Sequence, residues 1–387
     1  MTIRSDAPAI LSPGLAGVMI AGTVASLLHW FAFAAPHSGV AGYQVPAFLS
    51  WIASFGFLGT EFMFLAAGVA LAALAEAAPG RMAFARSVTA AAGPAIVIAL
   101  GLSVVGAMLI GLGGHAPDGA FAIAFPRTIM APLTAAILGT AIVVAIGHGE
   151  DFARRLLDIG SLWLIVAMAD QMLGFSSFVG RLVAAEHAPA LISGLLMYRL
   201  SRRRADRSEQ MLLIFAAIAT TACSIVRAHE IGDLYGIAPR ADVVLILTPG
   251  LLLFAFAAID QRHGAVAPLM AGRLMRGLAI GWLMSGGIGL ALVSGLARAA
   301  PAGLGIAAAV FLLTGLGVAI DHLTRRPLRA DRTARDEKAL EAARVAAEAE
   351  EILRGRIAAI AALPDASADQ ARTKTTDSTN TASARPA

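Results

Sequence analysis

The chain has 387 residues, of which 58% are hydrophobic and only 14% are charged, with a formal net charge of +4 at pH 7. Soluble domains usually carry about a quarter of their residues as Asp, Glu, Lys or Arg, so this composition excludes a soluble globular protein. The long unbroken apolar runs also exclude a transmembrane β-barrel, whose strands alternate apolar and polar residues. The fold class that remains is an all-α, polytopic transmembrane helical bundle.

Ten apolar runs of roughly 20 residues, the length that crosses a bilayer, follow one another along the chain. They lie at 14–34, 47–75, 88–112, 128–147, 156–175, 182–200, 211–228, 243–260, 277–298 and 302–321. The sixth is among the least regular, because RLVAAEHAPALISGLLMYR has Glu186, His187 and Pro189 in its first half. The sequence therefore predicts a ten-helix transmembrane domain over residues 1–321.

The basic residues between these runs alternate in side. One side holds Arg4, Arg81, Arg86, Arg154, Arg155, the cluster at 202–207, Arg262, Arg273, Arg276, Arg325 and Arg326. The other holds only Arg127, Arg181, Arg227, Arg240 and Arg298. Because Lys and Arg concentrate in cytoplasmic loops, both chain ends are predicted to be cytoplasmic. The basic charge therefore indicates topology, so we expect no nucleic-acid partner. The abundance of Ala, Gly and Arg favours a bacterial inner membrane.

The composition changes abruptly after the last apolar run. Residues 322–363 are rich in Ala, Glu and Arg at helical spacing, which predicts a charged cytoplasmic helix. This extension either docks a protein partner or is simply solvated. Residues 364–387 are too polar to bury a core, so a disordered tail is predicted there.

Motifs of soluble enzymes are missing from the sequence. It has no phosphate-binding glycine loop, no nucleophile elbow and no His-Glu-x-x-His zinc helix. The single cysteine, Cys223, lies in an apolar run and is typical of a packed apolar side chain. No bound cofactor or metal is therefore predicted. Ionisable residues at membrane depth become the candidates, since burying them is costly without a partner or a task.

Two candidates lie in the first two predicted helices. His29 is near the outer end of the first helix, and its imidazole suits a general base, although an interfacial histidine beside Trp30 would look the same. Glu61 interrupts the apolar stretch FGFLGTEFMFLAAGVAL. It would pair with His29 or with Arg86, either to orient a base or only to hold helices together.

A third group of candidates is CSIVRAHEIGDLYG, residues 223–236. Arg227, His229 and Glu230 crowd the outer end of the seventh predicted helix, and Arg227 and Glu230 are spaced to share one face. The group would bind an anionic or hydroxylated substrate, or it would be a solvated loop.

The stretch around Glu61 resembles the second-helix signature of the acyltransferase-3 family of membrane O-acyltransferases, and the related phrase in succinyltransferases of periplasmic glucans. Glu61 matches the acidic position of that signature, and Gly68 matches its later glycine. Arg86 is similar to the arginine at the entry to the family's third helix, and His29 falls where such proteins place a catalytic histidine. The chain departs from the pattern at Val18, an arginine in the family, and at Ala67, a serine.

This resemblance implies transfer of an acyl group from cytoplasmic acyl-CoA, a co-substrate, to a hydroxyl of an extracytoplasmic glycan. His29 would be the base, Glu61 would orient it, and Arg86 would meet the donor near the inner face. Two other functions stay open from the residues alone. One is a transporter that uses Glu61 and glycine-rich helices. The other is a noncatalytic membrane assembly factor whose C-terminal extension recruits a partner.

Overall fold

The computed structural model describes residues 13–37, 39, 42–78, 80–112, 131–147, 151–172, 183–202, 206–236, 239–260 and 277–361. Within these ranges the regular structure is entirely helical. The helices are α1 (Pro13–Leu28), α2 (Ala47–Ser54), α3 (Leu58–Ala77), α4 (Arg81–Leu112), α5 (Ala131–Ile146), α6 (Asp151–Met172), α7 (Ala188–Ser201), α8 (Arg207–Tyr235), α9 (Ala241–Asp260), α10 (Gly277–Leu283), α11 (Leu290–Ala299) and α12 (Ala302–Ala361). The predicted all-α fold is confirmed.

Shorter helical segments extend or join these elements. A π-helix, His29–Ala34, and one further turn, Ala35–His37, extend α1. A 3₁₀ turn, Phe55–Phe57, links α2 to α3, so the predicted helix at 47–75 is continuous but changes its winding. A second 3₁₀ turn, Ala185–His187, leads into α7.

Six helices of the described residues are long and apolar enough to cross a membrane. They are Gly14–His37, Ala47–Glu76, Arg81–Gly106, Arg207–Tyr235, Ala241–Ile259 and Ala302–Thr324. The bent pair formed by α10 and α11 raises the number to seven if it counts as one span. These helices indicate a multi-pass membrane protein, whereas the total of ten spans and the side of each terminus stay predictions.

The remaining predicted spans coincide with helices of a different kind. α5 has 16 residues and α7 has 14, so at 1.5 Å per residue α7 is about 21 Å long, against a hydrocarbon core of about 30 Å. α6 is longer, with 22 residues, but it carries Asp151 and Asp170 near its two ends and arginines in between. All three predicted spans are therefore helical, but α5 and α7 are shorter and α6 is more charged than the six helices that can cross a membrane.

α7 is the most enclosed of these helices. Every residue from Ala188 to Tyr198 is buried, so the helix has no solvent or lipid face over three turns. Such burial on all sides is typical of a helix at the centre of a bundle. α7 therefore holds His187, the residue that directly precedes it, in the interior.

Glycines let α3 approach its neighbours closely. A Cβ atom at Gly59 would lie 2.2 Å from the carbonyl oxygen of Gly22 in α1, and one at Gly68 would lie 2.2 Å from that of Leu191 in α7. Gly194 of α7 is equally tight against α3. Small residues at helix contacts of this kind let membrane helices pack backbone to backbone. The glycines around Glu61 therefore position α1 and α7 against α3.

Substitution of Gly59 tests this contact. We expect Gly59→Ala to lower the free energy of unfolding by about 1–3 kcal/mol, because the added methyl group meets a backbone oxygen that cannot move alone. Gly101→Ala in α4, where a Cβ would meet nothing within 4 Å, is the matched control, and its effect should be neutral or stabilising. Unfolding in mixed detergent micelles measures both. Equal effects of the two substitutions would contradict the close contact.

The break between α10 and α11 bends the chain by 59°. A π-helix, Ser285–Gly289, occupies the break, and side chains from other helices satisfy its freed carbonyl groups. The Trp30 indole donates to the Ser285 carbonyl at 3.1 Å, and the Ser103 hydroxyl donates to the Leu283 carbonyl at 2.6 Å. Unsatisfied backbone groups are costly in a membrane, so these two bonds stabilise the bend.

The chain divides into two compact units between Thr324 and Arg325. α12 begins in the first unit and runs into the second, which was predicted to start at residue 322 as a charged helical extension. In the second unit Arg344 pairs with Glu348 and Arg354 with Glu350, each four residues apart. The predicted disordered tail, 364–387, lies outside the described residues.

Candidate functional site around Glu61

Glu61 lies in the first turn of α3 and is 7% exposed. Its Oε1 atom accepts a hydrogen bond from His187 Nδ1 at 3.0 Å and lies 3.1 Å from a guanidinium nitrogen of Arg227. The structure therefore gives Glu61 different partners from those expected, which were His29 and Arg86. The carboxylate is stabilised in the interior by one imidazole and one guanidinium, which compensate much of the cost of burying it.

His187 enters the site from the short segment before α7. Ala184 is the one non-glycine residue with a positive φ, 52°, among the described residues, and this left-handed backbone costs about 1–2 kcal/mol. The Trp163 indole holds the segment by donating to the Val183 carbonyl at 2.6 Å. Strained backbone of this kind persists where the surrounding structure fixes it, and it clusters at functional sites.

The His187 ring is 1% exposed and is held on two sides. Phe64 stacks on it, with ring centroids 4.1 Å apart and an interplanar angle of 11°, while Nδ1 donates to Glu61. Among the residues that the structure describes, the buried Nε2 atom has no hydrogen-bond partner. In the neutral tautomer that donates from Nδ1 to Glu61, Nε2 holds the lone pair that a general base requires.

Arg227 connects the buried carboxylate to the protein surface. Its side chain is 14% exposed and pairs both with Glu61 and with Glu186, whose side chain is 43% exposed. We call these four side chains, Glu61, Glu186, His187 and Arg227, the Glu61 network. The network thus runs from the half-exposed carboxylate of Glu186 to the buried imidazole of His187.

His29 is buried beside the network, but its hydrogen bond goes to a different element. Its Nδ1 donates to the Ala53 carbonyl at 2.9 Å, and its ring lies against Phe33 and Phe57. Arg227 is near enough to act on it electrostatically. The predicted catalytic role of His29 therefore stays a prediction, with the ring held by backbone and aromatic contacts rather than by Glu61.

His29 also begins the π-helix, a winding that is rare and is frequently found at functional sites. Tyr43, in the connection between α1 and α2, holds this segment by donating its hydroxyl to the Phe31 carbonyl at 2.5 Å. Burial raises the pKa of the Tyr43 phenol above its ordinary value, so the phenol remains a donor at physiological pH.

The other predicted site residues are exposed. His229 donates from Nδ1 to the Ile225 carbonyl at 2.9 Å, and Glu230 acts electrostatically on Arg227 from the surface. Arg86 is exposed on α4. The C-terminal end of α3, which precedes α4, lies at a distance of about 24 Å from Glu61 at 1.5 Å per residue. The structure thus brings Glu61 and Arg227 together and leaves Arg86 out of their network.

Two arginines near Arg86 converge on one point. A Cβ atom at Gly147, where φ is +108°, would lie 3.0 Å from Arg81 Nε and 3.1 Å from a guanidinium nitrogen of Arg155. Arg155 also pairs with Asp151 at 3.3 Å. Planar guanidinium groups in pairs are suited to phosphate.

An apolar cavity of about 200 Å³ lies beside the network. α3 contributes Thr60, Met63, Phe64 and Ala67 to its wall, and the rest comes from α1, α4, α5 and α10. Phe64 is thus both a wall of the cavity and the stacking partner of His187. In the part of the chain that the structure describes, no group of three or more His, Cys, Asp or Glu side chains is arranged to hold a metal ion.

Sequence reasoning missed His187 and Glu186 as site residues. Both stand in AEHAP, where two adjacent ionisable residues precede a proline inside an apolar run. That pattern is the same signal, an ionisable group at membrane depth, that identified Glu61. In the sequence these residues only marked the sixth apolar run as one of the least regular.

Compared with known proteins, the chain matches no family model, no curated protein and no solved structure. The resemblance to the acyltransferase-3 family therefore stays a prediction that depends on the stretch around Glu61. The proposed function therefore rests on the geometry of the Glu61 network.

Proposed function

We propose that this protein is a bacterial inner-membrane O-acyltransferase that moves an acyl group from cytoplasmic acyl-CoA to a hydroxyl of an extracytoplasmic glycan. The observation that carries the proposal is the buried pair of Glu61 and His187, whose Nε2 atom has no partner among the described residues. A carboxylate that holds one nitrogen of a histidine and leaves the other as acceptor is the usual arrangement for activating a hydroxyl.

In the proposed reaction, His187 Nε2 takes the proton of the acceptor hydroxyl as its oxygen attacks the thioester carbonyl carbon. A carbon–oxygen bond forms, the carbon–sulfur bond breaks, and the proton passes from His187 to the leaving thiolate. Glu61 keeps the imidazole oriented and stabilises its positive charge. Arg227 supplies a fixed positive charge in the same network, where negative charge develops on the carbonyl oxygen.

The two ends of the bundle suit the two substrates. Glu186 is exposed and leads to Arg227, which supports entry of a hydroxylated acceptor at the predicted outer face. Arg81 and Arg155 converge at the predicted inner face, near Arg86, and their charges suit the phosphates of CoA. The apolar cavity lies along α3 from the turn that carries Glu61.

A transporter is the second candidate, and the bend of 59° between α10 and α11 favours it. Broken helices and charged groups at membrane depth are common features of transport sites. In that function Glu61, His187 and Arg227 would bind a coupling ion or substrate and would release it unchanged.

Comparative mass spectrometry of surface and periplasmic glycans tests the proposal. We expect a deletion strain to lose a defined acyl mass from one glycan, and the wild-type gene to restore it. A purified protein that forms acyl glycan from acyl-CoA would confirm the reaction. Unchanged glycans together with ion-coupled uptake in vesicles would overturn it in favour of transport.

A further inference from the structure

The apolar cavity has the properties of a binding site for a hydrocarbon chain. Its volume is about 200 Å³, and two of its lining residues, Thr60 and Trp282, have polar atoms that already bond to Ser26. The Trp282 indole donates to the Ser26 hydroxyl at 2.9 Å, and that hydroxyl lies 3.1 Å from the Thr60 hydroxyl. The surface left for a ligand is therefore apolar.

The cavity is also adjacent to the proposed base. One aromatic ring, that of Phe64, separates it from the His187 imidazole, since the Phe64 and His187 rings are stacked with centroids 4.1 Å apart. Glu61 precedes Phe64 by one turn of α3. A ligand whose apolar part fills the cavity would thus lie one aromatic ring away from His187.

We infer that the cavity binds the hydrocarbon chain of the transferred acyl group and limits its length. This inference rests on the proposed acyl transfer, and it adds the substrate class. An engineered cavity of about 150 Å³ holds one benzene molecule of six carbons, so about 200 Å³ suits a chain of about eight carbons. The substrate class is therefore a medium-chain acyl donor.

The sizes of the side chains in the cavity wall set the limit on acyl-chain length. Ala67 and Ala95 are small, so they leave space, whereas Met63 occupies part of the wall with a long, flexible side chain. Enlarging one of the alanines fills the cavity, and truncating the methionine extends it. The two changes should shift chain preference in opposite directions.

The experiment uses the purified full chain in lipid nanodiscs with acyl-CoA donors of increasing chain length. We expect Ala95→Leu to move the preferred donor about three carbons shorter, the number that Leu adds to Ala, and Met63→Ala to move it to longer chains. Ala90→Leu, on an exposed position of the same helix, is the matched control and should leave the preference unchanged. Unchanged preference in both cavity variants, with transfer intact, would overturn the inference and leave the proposed function standing.

A second measurement detects the chain without catalysis. Photoactivatable fatty acids of the same lengths should label Met63 or Phe64 most strongly at medium length, and Ala95→Leu should move the labelling to shorter probes. Such labelling in a protein without transfer activity would show a site for a hydrocarbon chain, but it would overturn the proposed function and with it the role of that chain as the transferred group. Equal labelling at every length, also by a photoactivatable phospholipid, would show a bilayer lipid tail in the cavity and overturn the inference.

Discussion

Glu61→Gln is expected to lower the free energy of unfolding by about 3–5 kcal/mol. The change keeps the side-chain volume but removes one of the two carboxylates that neutralise Arg227 and leaves only the half-exposed Glu186, and a buried ion that loses a partner is strongly destabilising. Unfolding in mixed detergent micelles, followed by circular dichroism, gives the difference. Asp242→Asn is the matched control, because the Arg240–Asp242 pair is exposed and should contribute little.

A double-mutant cycle separates the pair from its surroundings. We expect Glu61→Gln and Arg227→Gln together to be less destabilising than the sum of the two single changes, with a coupling of about 0.5–3 kcal/mol. The double variant removes both charges, so neither ion is left buried alone. Strict additivity would contradict the direct contact between Glu61 and Arg227.

The second large effect is expected at His187. His187→Asn keeps a nitrogen that can donate to Glu61 near the position of Nδ1 but removes Nε2, so we expect acyl transfer to fall by about 10²–10⁴-fold, the usual contribution of a general base. Stability should change little by comparison, since the hydrogen bond to Glu61 is retained. The rate of acyl-glycan formation by the purified protein and the unfolding midpoint are measured on the same preparation.

His29→Asn is the comparison that assigns the base. His29 donates to the Ala53 carbonyl, and an asparagine can retain that bond, so we expect a smaller loss of activity than at His187. A greater loss at position 29 than at position 187 would return the role of base to His29 and would leave His187 as a structural partner of Glu61.

Much of the fold follows from local properties of the sequence. Each of the ten apolar runs coincides at least in part with a helix in the structure, because a run of such residues must satisfy its own backbone groups in lipid. Glu61 could be recognised as a site residue because a carboxylate within an apolar run needs compensation. Arg227 stood out for the same reason near the predicted outer end of the seventh apolar run.

The partners of Glu61 could not be predicted in the same way. Glu61 and His187 are 126 residues apart, and their contact depends on how α7 packs against α3 through Gly68 and Gly194. The π-helix at His29 has no recognisable sequence signal, since HWFAFA would form an ordinary helix equally well. Sequence thus identified the buried charge, while packing determined what neutralises it.

The shortness of α7 has a consequence for how the protein is made. A helix of 14 residues with Glu186 and His187 at its start does not reach across the hydrocarbon core, and each charged group at depth adds about 2.5–3.5 kcal/mol to the cost of insertion. α7 is therefore a poor independent substrate for the insertion machinery. Its neighbours must enter the bilayer first and provide Glu61, Arg227 and the glycine contacts that accept it. The contact between His187 and Glu61 would then form only after α3 and α8 are in place, and a chain that fails at this step would be inserted without a complete network.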